Sequence, residues 1–205
     1  MSTKEYNSYY QDYITETLDC ALKAYPRITV IRVDLHFPVM DEYGDMPTCF
    51  PNTEGSPISR FIDSLNAKLK HDQHRKTRQG KRIYPNRLRY LWVRELVTAA
   101  HPHYHCVLIF NKDAYYHLGD HDLSERSLRT MITSAWYSAL QLELDPITDT
   151  GPLVHYPENC RYCLNREALS FTDDYNVVMG RLNYLAKEYS KHYSADHHSI
   201  GHSQY

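Results

Sequence analysis

The chain of 205 residues carries a formal net charge of -2 with 42% hydrophobic and 23% charged residues, a balance typical of globular proteins. No apolar run approaches the roughly 20 residues that span a bilayer, so we expect no membrane-spanning segment. The N-terminal segment lacks the basic start and apolar stretch of a secretory signal, so we expect a cytoplasmic protein whose five cysteines are thiols.

The spacing of apolar residues predicts alternating helices and strands. Apolar residues at helical spacing predict helices, and β-branched residues that alternate with polar ones predict strands. In chain order, the predicted elements are a helix at 8–24 within an N-terminal segment 1–26, a strand at 27–38, a loop at 39–56, a helix beginning at Pro57 after Ser56 as a cap, strands at 87–97 and 103–111 joined as a hairpin, a helix at 123–142, a short strand at 152–157 and a helix at 173–193.

This order of elements predicts an α+β fold in which helices cover an antiparallel sheet of about four to five strands. We expect one domain over residues 1–195. The histidine-rich residues 196–205 are expected to form a disordered tail.

Residues 68–89 form a basic segment in a chain that is otherwise acidic. The segment holds nine Lys and Arg residues and a single acid, Asp72. Such a cluster is typical of a surface that faces phosphates, although a solvated helix end and loop would carry the same charge. The residues predicted to contact DNA are Arg75, Lys76, Arg78, Lys81, Arg82, Arg87 and Arg89.

The stretch HPHYHCVLIFN, residues 101–111, indicates a metal site. His103 and His105 point to the same face of a strand, about 7 Å apart at their Cα atoms. Glu95 lies on the preceding strand of the predicted hairpin, so pairing brings a carboxylate beside the two imidazoles. One carboxylate and two imidazoles leave coordination positions open, as a catalytic metal requires. His36 is an alternative third ligand, and a polar strand face without a metal is the alternative to the site.

These residues resemble a known family. The stretch VRELVTAAHPHYHCVLIF resembles the metal-binding motif of the HUH endonucleases, the initiators of rolling-circle replication. The combination of RVDLHFP, PHYHCVLIFN and YLAKEYSK resembles more narrowly the replication proteins of inoviruses, which are also found in bacterial prophages. The resemblance implies the ferredoxin/RRM-like HUH fold and Mg or Mn held by Glu95, His103 and His105.

The same family has a catalytic tyrosine on a helix after the metal motif. The resemblance assigns this role to Tyr184, which opens a Tyr-x-x-Lys pattern with Lys187. On one continuous helix, Lys187 and Lys191 would lie on the same face as Tyr184. Some phage initiators carry a second tyrosine four residues later, where this chain has Glu188; Tyr189 is a further candidate.

The resemblance implies nicking and rejoining of single-stranded DNA through a 5'-phosphotyrosine, to initiate replication of a phage, prophage or satellite element. The implied partners are single-stranded or hairpin origin DNA, a host helicase and a single-strand-binding protein. Three alternatives stay open: a DNA-binding module that does not cleave, a phosphodiesterase that uses metal-bound water, and a single-strand transposase. A relaxase would place its tyrosine near the N-terminus, among Tyr6, Tyr9, Tyr10 and Tyr13. The pair Cys160 and Cys163 is too few ligands for a zinc site by itself.

Overall fold

The computed structural model describes residues 6–38, 51–95, 103–120, 123, 126–144, 153–186 and 199–204. Two units account for the chain. Unit 1 consists of Met1–Asp34, Tyr84–Tyr116 and Tyr156–Tyr205, and unit 2 consists of Leu35–Ile83 and His117–His155. No helix in the described ranges has a stretch long and apolar enough to cross a membrane.

The helices and strands follow the predicted order, with two strands in addition. They are α1 (Ser8–Ala24), β1 (Arg27–Leu35), α2 (Pro57–Arg78), β2 (Arg89–Glu95), β3 (His103–Asn111), α3 (Leu128–Ala139), β4 (Val154–His155), β5 (Arg161–Asn165), α4 (Phe171–Asn183) and β6 (Ile200–His202). A short 3-10 turn, Tyr184–Ala186, follows α4 directly.

In unit 1, β1, β3, β2 and β6 lie side by side in that order, and β5 pairs with β1. The pairs β1–β5, β2–β3 and β2–β6 are antiparallel. The prediction of an α+β fold with helices covering an antiparallel sheet is therefore confirmed. The sequence does not predict β5. Only Leu164 of its five residues is buried, so the alternation of apolar and polar residues along this strand is too weak to detect.

One face of this sheet carries the hydrophobic core of unit 1. Alternate strand residues, such as Val30, Val93 and Val107, point to that face and pack with Leu18 of α1 and Leu182 of α4. Side chains alternate strictly along a strand. The same alternation therefore brings the polar residues at the ends of β1, β2 and β3 to this face, next to the core.

Unit 2 is built on the packing of α2 against α3. The fully buried Trp136 of α3 meets Phe61 of α2 edge to face, with ring centroids 6.0 Å apart. Its indole N–H donates to the carbonyl of His36 at 2.7 Å. A buried indole with a satisfied donor anchors the two helices to the segment that follows β1.

The ends of the two helices in unit 2 differ in part from the prediction. Pro57 does open α2, but the hydroxyl of Ser56 lies 2.7 Å from that of Ser59 and does not cap the backbone. The helix predicted at 123–142 is shorter, because Ser127 caps the backbone N–H of Thr130 and sets the start of α3. Gln141 has a left-handed φ of 57°, which marks the end of the helix.

The prediction of a disordered tail at 196–205 is wrong for Ile200–His202. These residues form β6, which pairs with β2 in the register Leu91 to His202, Trp92 to Gly201 and Val93 to Ile200. The ring of His202 also stacks on Tyr13 of α1 at 4.5 Å. His202 is thus part of the packing of unit 1. The prediction of disorder fails here because it rests on the polar composition of the segment.

Replacing Gly201 with Ala is expected to destabilise unit 1. A Cβ at Gly201 would lie 2.5 Å from an indole carbon of Trp92, so either the indole or β6 must shift. Overpacking of this kind costs about 1–3 kcal/mol of unfolding free energy, which urea denaturation can measure. Gly180→Ala in α4 is the matched control, since nothing lies within 4 Å of its Cβ; it should stabilise by about 0.5–1 kcal/mol. Equal stability of Gly201→Ala and the wild type would show that β6 is not held against Trp92.

Candidate active site

The hairpin of β2 and β3 brings Glu95, His103 and His105 together, as predicted. Glu95 pairs directly with His103 across the two strands, and Val93 pairs with His105. Residues directly opposite each other on paired strands share a face, and so do residues two apart on one strand. Both histidines and the glutamate therefore project to the same side of the sheet.

The three side chains converge on one point. The Nε2 atom of His105 lies 3.1 Å from Glu95 Oε2 and 3.1 Å from the Nε2 atom of His103. One ligand atom from each of the three residues lies within 4.8 Å of the other two. The two imidazole rings stand at 89° to each other with centroids 4.7 Å apart. This group can hold a metal ion.

Asp34 of β1 fixes the orientation of His105. Its Oδ1 atom lies 2.6 Å from Nδ1 of His105, and both side chains are mostly buried. A carboxylate at Nδ1 favours the tautomer that carries the proton on that nitrogen. Nε2 then directs its lone pair toward the carboxylate of Glu95, as a metal-ligating histidine supported by an outer carboxylate does.

The electrostatics of this cluster require a cation. Two carboxylates, Asp34 and Glu95, flank one imidazole. Burial lowers the pKa of His105, but hydrogen bonds to Asp34 and Glu95 outweigh burial and raise it. The site therefore favours positive charge at Nε2 of His105, which either a proton or a divalent ion can supply. The donor set fits a divalent metal, because one carboxylate and two imidazoles are common ligands and leave positions open.

Asp34→Asn is expected to weaken Mn binding about 10- to 100-fold, the usual cost of removing an outer-shell carboxylate from a ligating histidine. Isothermal titration with Mn at neutral pH measures the change. Asp113→Asn is the control, because Asp113 belongs to the same unit and pairs with Arg27 instead. Unaltered Mn affinity in Asp34→Asn would show that His105 needs no support from Asp34 to bind metal.

Arg32 connects the metal-ligand cluster to Tyr184. Its Nε atom lies 3.5 Å from Asp34 Oδ1, and its guanidinium carbon lies 5.7 Å from the centroid of the Tyr184 ring. That Nε atom is buried and makes no hydrogen bond with the described residues. Tyr184 is 47% exposed. A solvent-accessible tyrosine, an arginine and the cluster are thus linked through consecutive contacts.

The helix that leads to Tyr184 is shorter than predicted. α4 ends at Asn183, and Tyr184 begins a 3-10 turn. The α-helical geometry that would place Lys187 and Lys191 on the same face as Tyr184 therefore does not hold at Tyr184 itself. Lys187, Lys191 and Tyr189 lie outside the described residues, and their roles stay predictions.

The alternative metal ligand, His36, and two of the N-terminal tyrosines, Tyr10 and Tyr13, have contacts of their own. His36 is in unit 2, where its ring meets that of His155 edge to face at 6.5 Å. Tyr10 is buried and donates its hydroxyl to Ser199 at 2.6 Å. Tyr13 stacks on His202. Tyr10 and Tyr13 therefore have structural contacts in unit 1.

The two cysteines of the CxxC pair are free thiols. Arg161 donates to Cys163 Sγ at 3.4 Å. Within the described part of the chain, no group of three possible metal ligands includes either thiol.

The basic segment is divided between the two units. Arg75 and Lys76 of α2 both pair with Asp72, at 2.6 and 2.7 Å. Three of the other predicted DNA contacts are exposed in unit 2: Arg78, Lys81 and Arg82. The remaining two are in unit 1, where Arg87 is exposed and Arg89 is half-buried. DNA binding by these residues stays a prediction.

Sequence comparisons place the chain in a family. A model of the YagK/YfjJ C-terminal domain family matches residues 2–203. The uncharacterized protein YagK of Escherichia coli (strain K12) is 47% identical over 195 residues, covering 95% of this chain and 92% of YagK. The uncharacterized protein YfjJ of the same strain is 45% identical over 188 residues, covering 90% of this chain and 88% of YfjJ. No solved structure matches. The chain therefore belongs to the YagK/YfjJ C-terminal domain family.

Proposed function

We propose that the protein nicks and rejoins single-stranded DNA through a covalent link to Tyr184. The observation that carries the proposal is the unbroken series of contacts from Glu95 and His103 through His105, Asp34 and Arg32 to Tyr184. A metal-ligand group, a cation and an exposed tyrosine are the components that transfer of a phosphodiester to tyrosine requires. The resemblance of these same residues to the motifs of HUH endonucleases supports the proposal.

In the proposed reaction, the Tyr184 oxygen attacks the scissile phosphorus and loses its proton. The bond between phosphorus and the 3' oxygen breaks, and that oxygen takes up a proton to become a free 3'-hydroxyl. Tyr184 then holds the 5' phosphate. Glu95, His103 and His105 would hold a Mg or Mn ion, which would supply Lewis-acid polarisation of the phosphate.

Arg32 is suited to assist this step. A tyrosine hydroxyl is a weak nucleophile at neutral pH and benefits from a neighbouring cation. The guanidinium lies beside the Tyr184 ring and brings a positive charge to the nucleophile, and its fork of donors matches the oxygens of a phosphate.

The substrate in this proposal is single-stranded or hairpin origin DNA of a phage, prophage or satellite element. A tyrosine and a metal cannot align on one phosphate within a rigid duplex, so an unpaired strand is required. Because the link to Tyr184 conserves the energy of the phosphodiester bond, the same site can rejoin ends. The exposed Arg87, which belongs to the same unit as Tyr184, is suited to contact the phosphates of the strand.

The test is denaturing gel electrophoresis of the protein with labelled single-stranded DNA and Mn. A DNA-dependent shift that survives SDS supports the proposal. Cleavage without an adduct would replace it with hydrolysis by metal-bound water. Binding without cleavage, across several hairpin substrates, would identify a DNA-binding module that has no nicking activity.

Arg32→Ala is expected to slow adduct formation about 100-fold, as loss of one preorganised donor does in other enzymes, while Mn affinity changes little. The rate is followed by quenching the reaction in SDS. Arg27→Ala is the matched control: it lies five residues earlier on β1 and forms a half-exposed pair with Asp113. If Arg32→Ala loses Mn affinity to the same extent as adduct formation, then Arg32 acts only by holding Asp34.

A further inference from the structure

Unit 2 contains a half-open cavity of about 490 Å³ between α2 and α3. One stripe of α2, from Ser64 through Lys68 and His71 to Arg75, forms one wall. Arg126 and the first turns of α3 form the other wall. The apolar stripe of α2 is buried elsewhere, in contact with the core of unit 2. The cavity wall is therefore not used for packing and is open to a ligand.

The cavity has an excess of positive charge. Lys68, Arg75 and Arg126 line it together with one carboxylate, Asp72. Although burial alone would raise the pKa of Asp72, hydrogen bonds to Lys76 and Arg75 hold it below its usual value. This carboxylate is therefore ionised and neutralised by its neighbours. Lys68 and Arg126 line the cavity and form no ion pair with the described residues.

The remaining lining suits a phosphate ester. Ser127 and Thr130 line the wall where α3 begins, at the helix end whose dipole favours an anion; their hydroxyls lie 3.0 Å from each other. Ala67 and Met131 provide a small apolar surface for the organic part of a ligand. A cavity of this volume is of the size that holds a small organic ligand.

We propose that this cavity binds a phosphate group, carried by a free nucleotide or by the backbone of single-stranded DNA. The cationic side chains are the donors that recognise a phosphate in both sources. The proposal depends on residues of unit 2 alone and is independent of the proposed chemistry at Tyr184 in unit 1.

The experiment uses full-length Tyr184→Phe protein without divalent metal, so that cleavage cannot interfere. The probes are dAMP and a labelled oligo(dT) of about 12 nucleotides, within the range of single-strand site sizes. Lys68→Gln and Arg126→Gln are each expected to weaken binding about fivefold or more. For the oligonucleotide, each should also lower the slope of log affinity against log salt by about 0.7, the loss of one phosphate contact.

Lys70→Gln is the matched control, because Lys70 is exposed on the same helix two residues away and does not line the cavity. Cavity-dependent binding of dAMP identifies a nucleotide site, and cavity-dependent binding of oligo(dT) alone identifies a contact to the DNA backbone. The proposal is overturned if Lys68→Gln and Arg126→Gln bind both probes with wild-type affinity. It is also overturned if Lys70→Gln weakens binding as much as Lys68→Gln. Thermal melting of each variant verifies that it is folded. Adduct formation by protein with Tyr184 intact is scored separately, so failure of either proposal leaves the other tested.

Discussion

Tyr184→Phe is expected to abolish the SDS-resistant DNA adduct and leave binding of single-stranded DNA unchanged. The substitution removes one oxygen and keeps the ring that faces Arg32. Loss of a covalent nucleophile reduces the rate by roughly 10⁴-fold or more, so no adduct should be visible on a denaturing gel. Binding should persist, because phosphate contacts come from arginine and lysine side chains rather than from this hydroxyl.

Tyr9→Phe provides the control for this result. Tyr9 is 73% exposed on α1 and belongs to the group of N-terminal tyrosines that a relaxase would use. We expect wild-type adduct formation by Tyr9→Phe. An adduct that persists in Tyr184→Phe would contradict the assignment, and Tyr189→Phe would then be the next substitution.

Loss of the metal-ligand cluster is the second large effect. In the wild type, Mn at about 100 times its dissociation constant should stabilise the folded protein by roughly 2.7 kcal/mol. For a chain of this length, that raises the melting temperature by about 5–10 °C. His105→Ala and Glu95→Gln are each expected to remove this shift and the adduct together, since each deletes one converging ligand.

His36→Ala is the matched control and should retain the Mn-dependent shift, because His36 contacts His155 in unit 2. Loss of the shift in His36→Ala but not in Glu95→Gln would make His36 the third ligand. The shift should also shrink as the pH falls. The pKa of His105 is raised, so protons begin to compete with the metal for Nε2 above the ordinary histidine value of 6.5.

The part of the site that lies on one hairpin could be predicted from the sequence. The period-two alternation of β3 places His103 and His105 on one face, and a short connection forces Glu95 into register with them. Both constraints act between residues close together in the chain, so the spacing of these residues in the sequence is sufficient to predict the contact.

The contacts of Asp34 and Arg32 could not be predicted in the same way. Alternation places Asp34 and His36 on the same face of the strand predicted at 27–38, and either could support the site. Only the position of β1 beside β3 decides between them, and that is a contact between residues 71 positions apart. The approach of Arg32 to Tyr184 likewise depends on how α4 packs on the sheet.

β6 also has a consequence for handling the protein. It occupies the backbone donors and acceptors along one edge of β2, from Leu91 to Val93. A version shortened at residue 195 would leave that edge open, and open sheet edges recruit strands from other molecules. The shortened protein should aggregate or form strand-exchanged dimers even though all the proposed active-site residues are present. β6 therefore protects the protein from self-association, and its removal by truncation would be mistaken for a loss of activity.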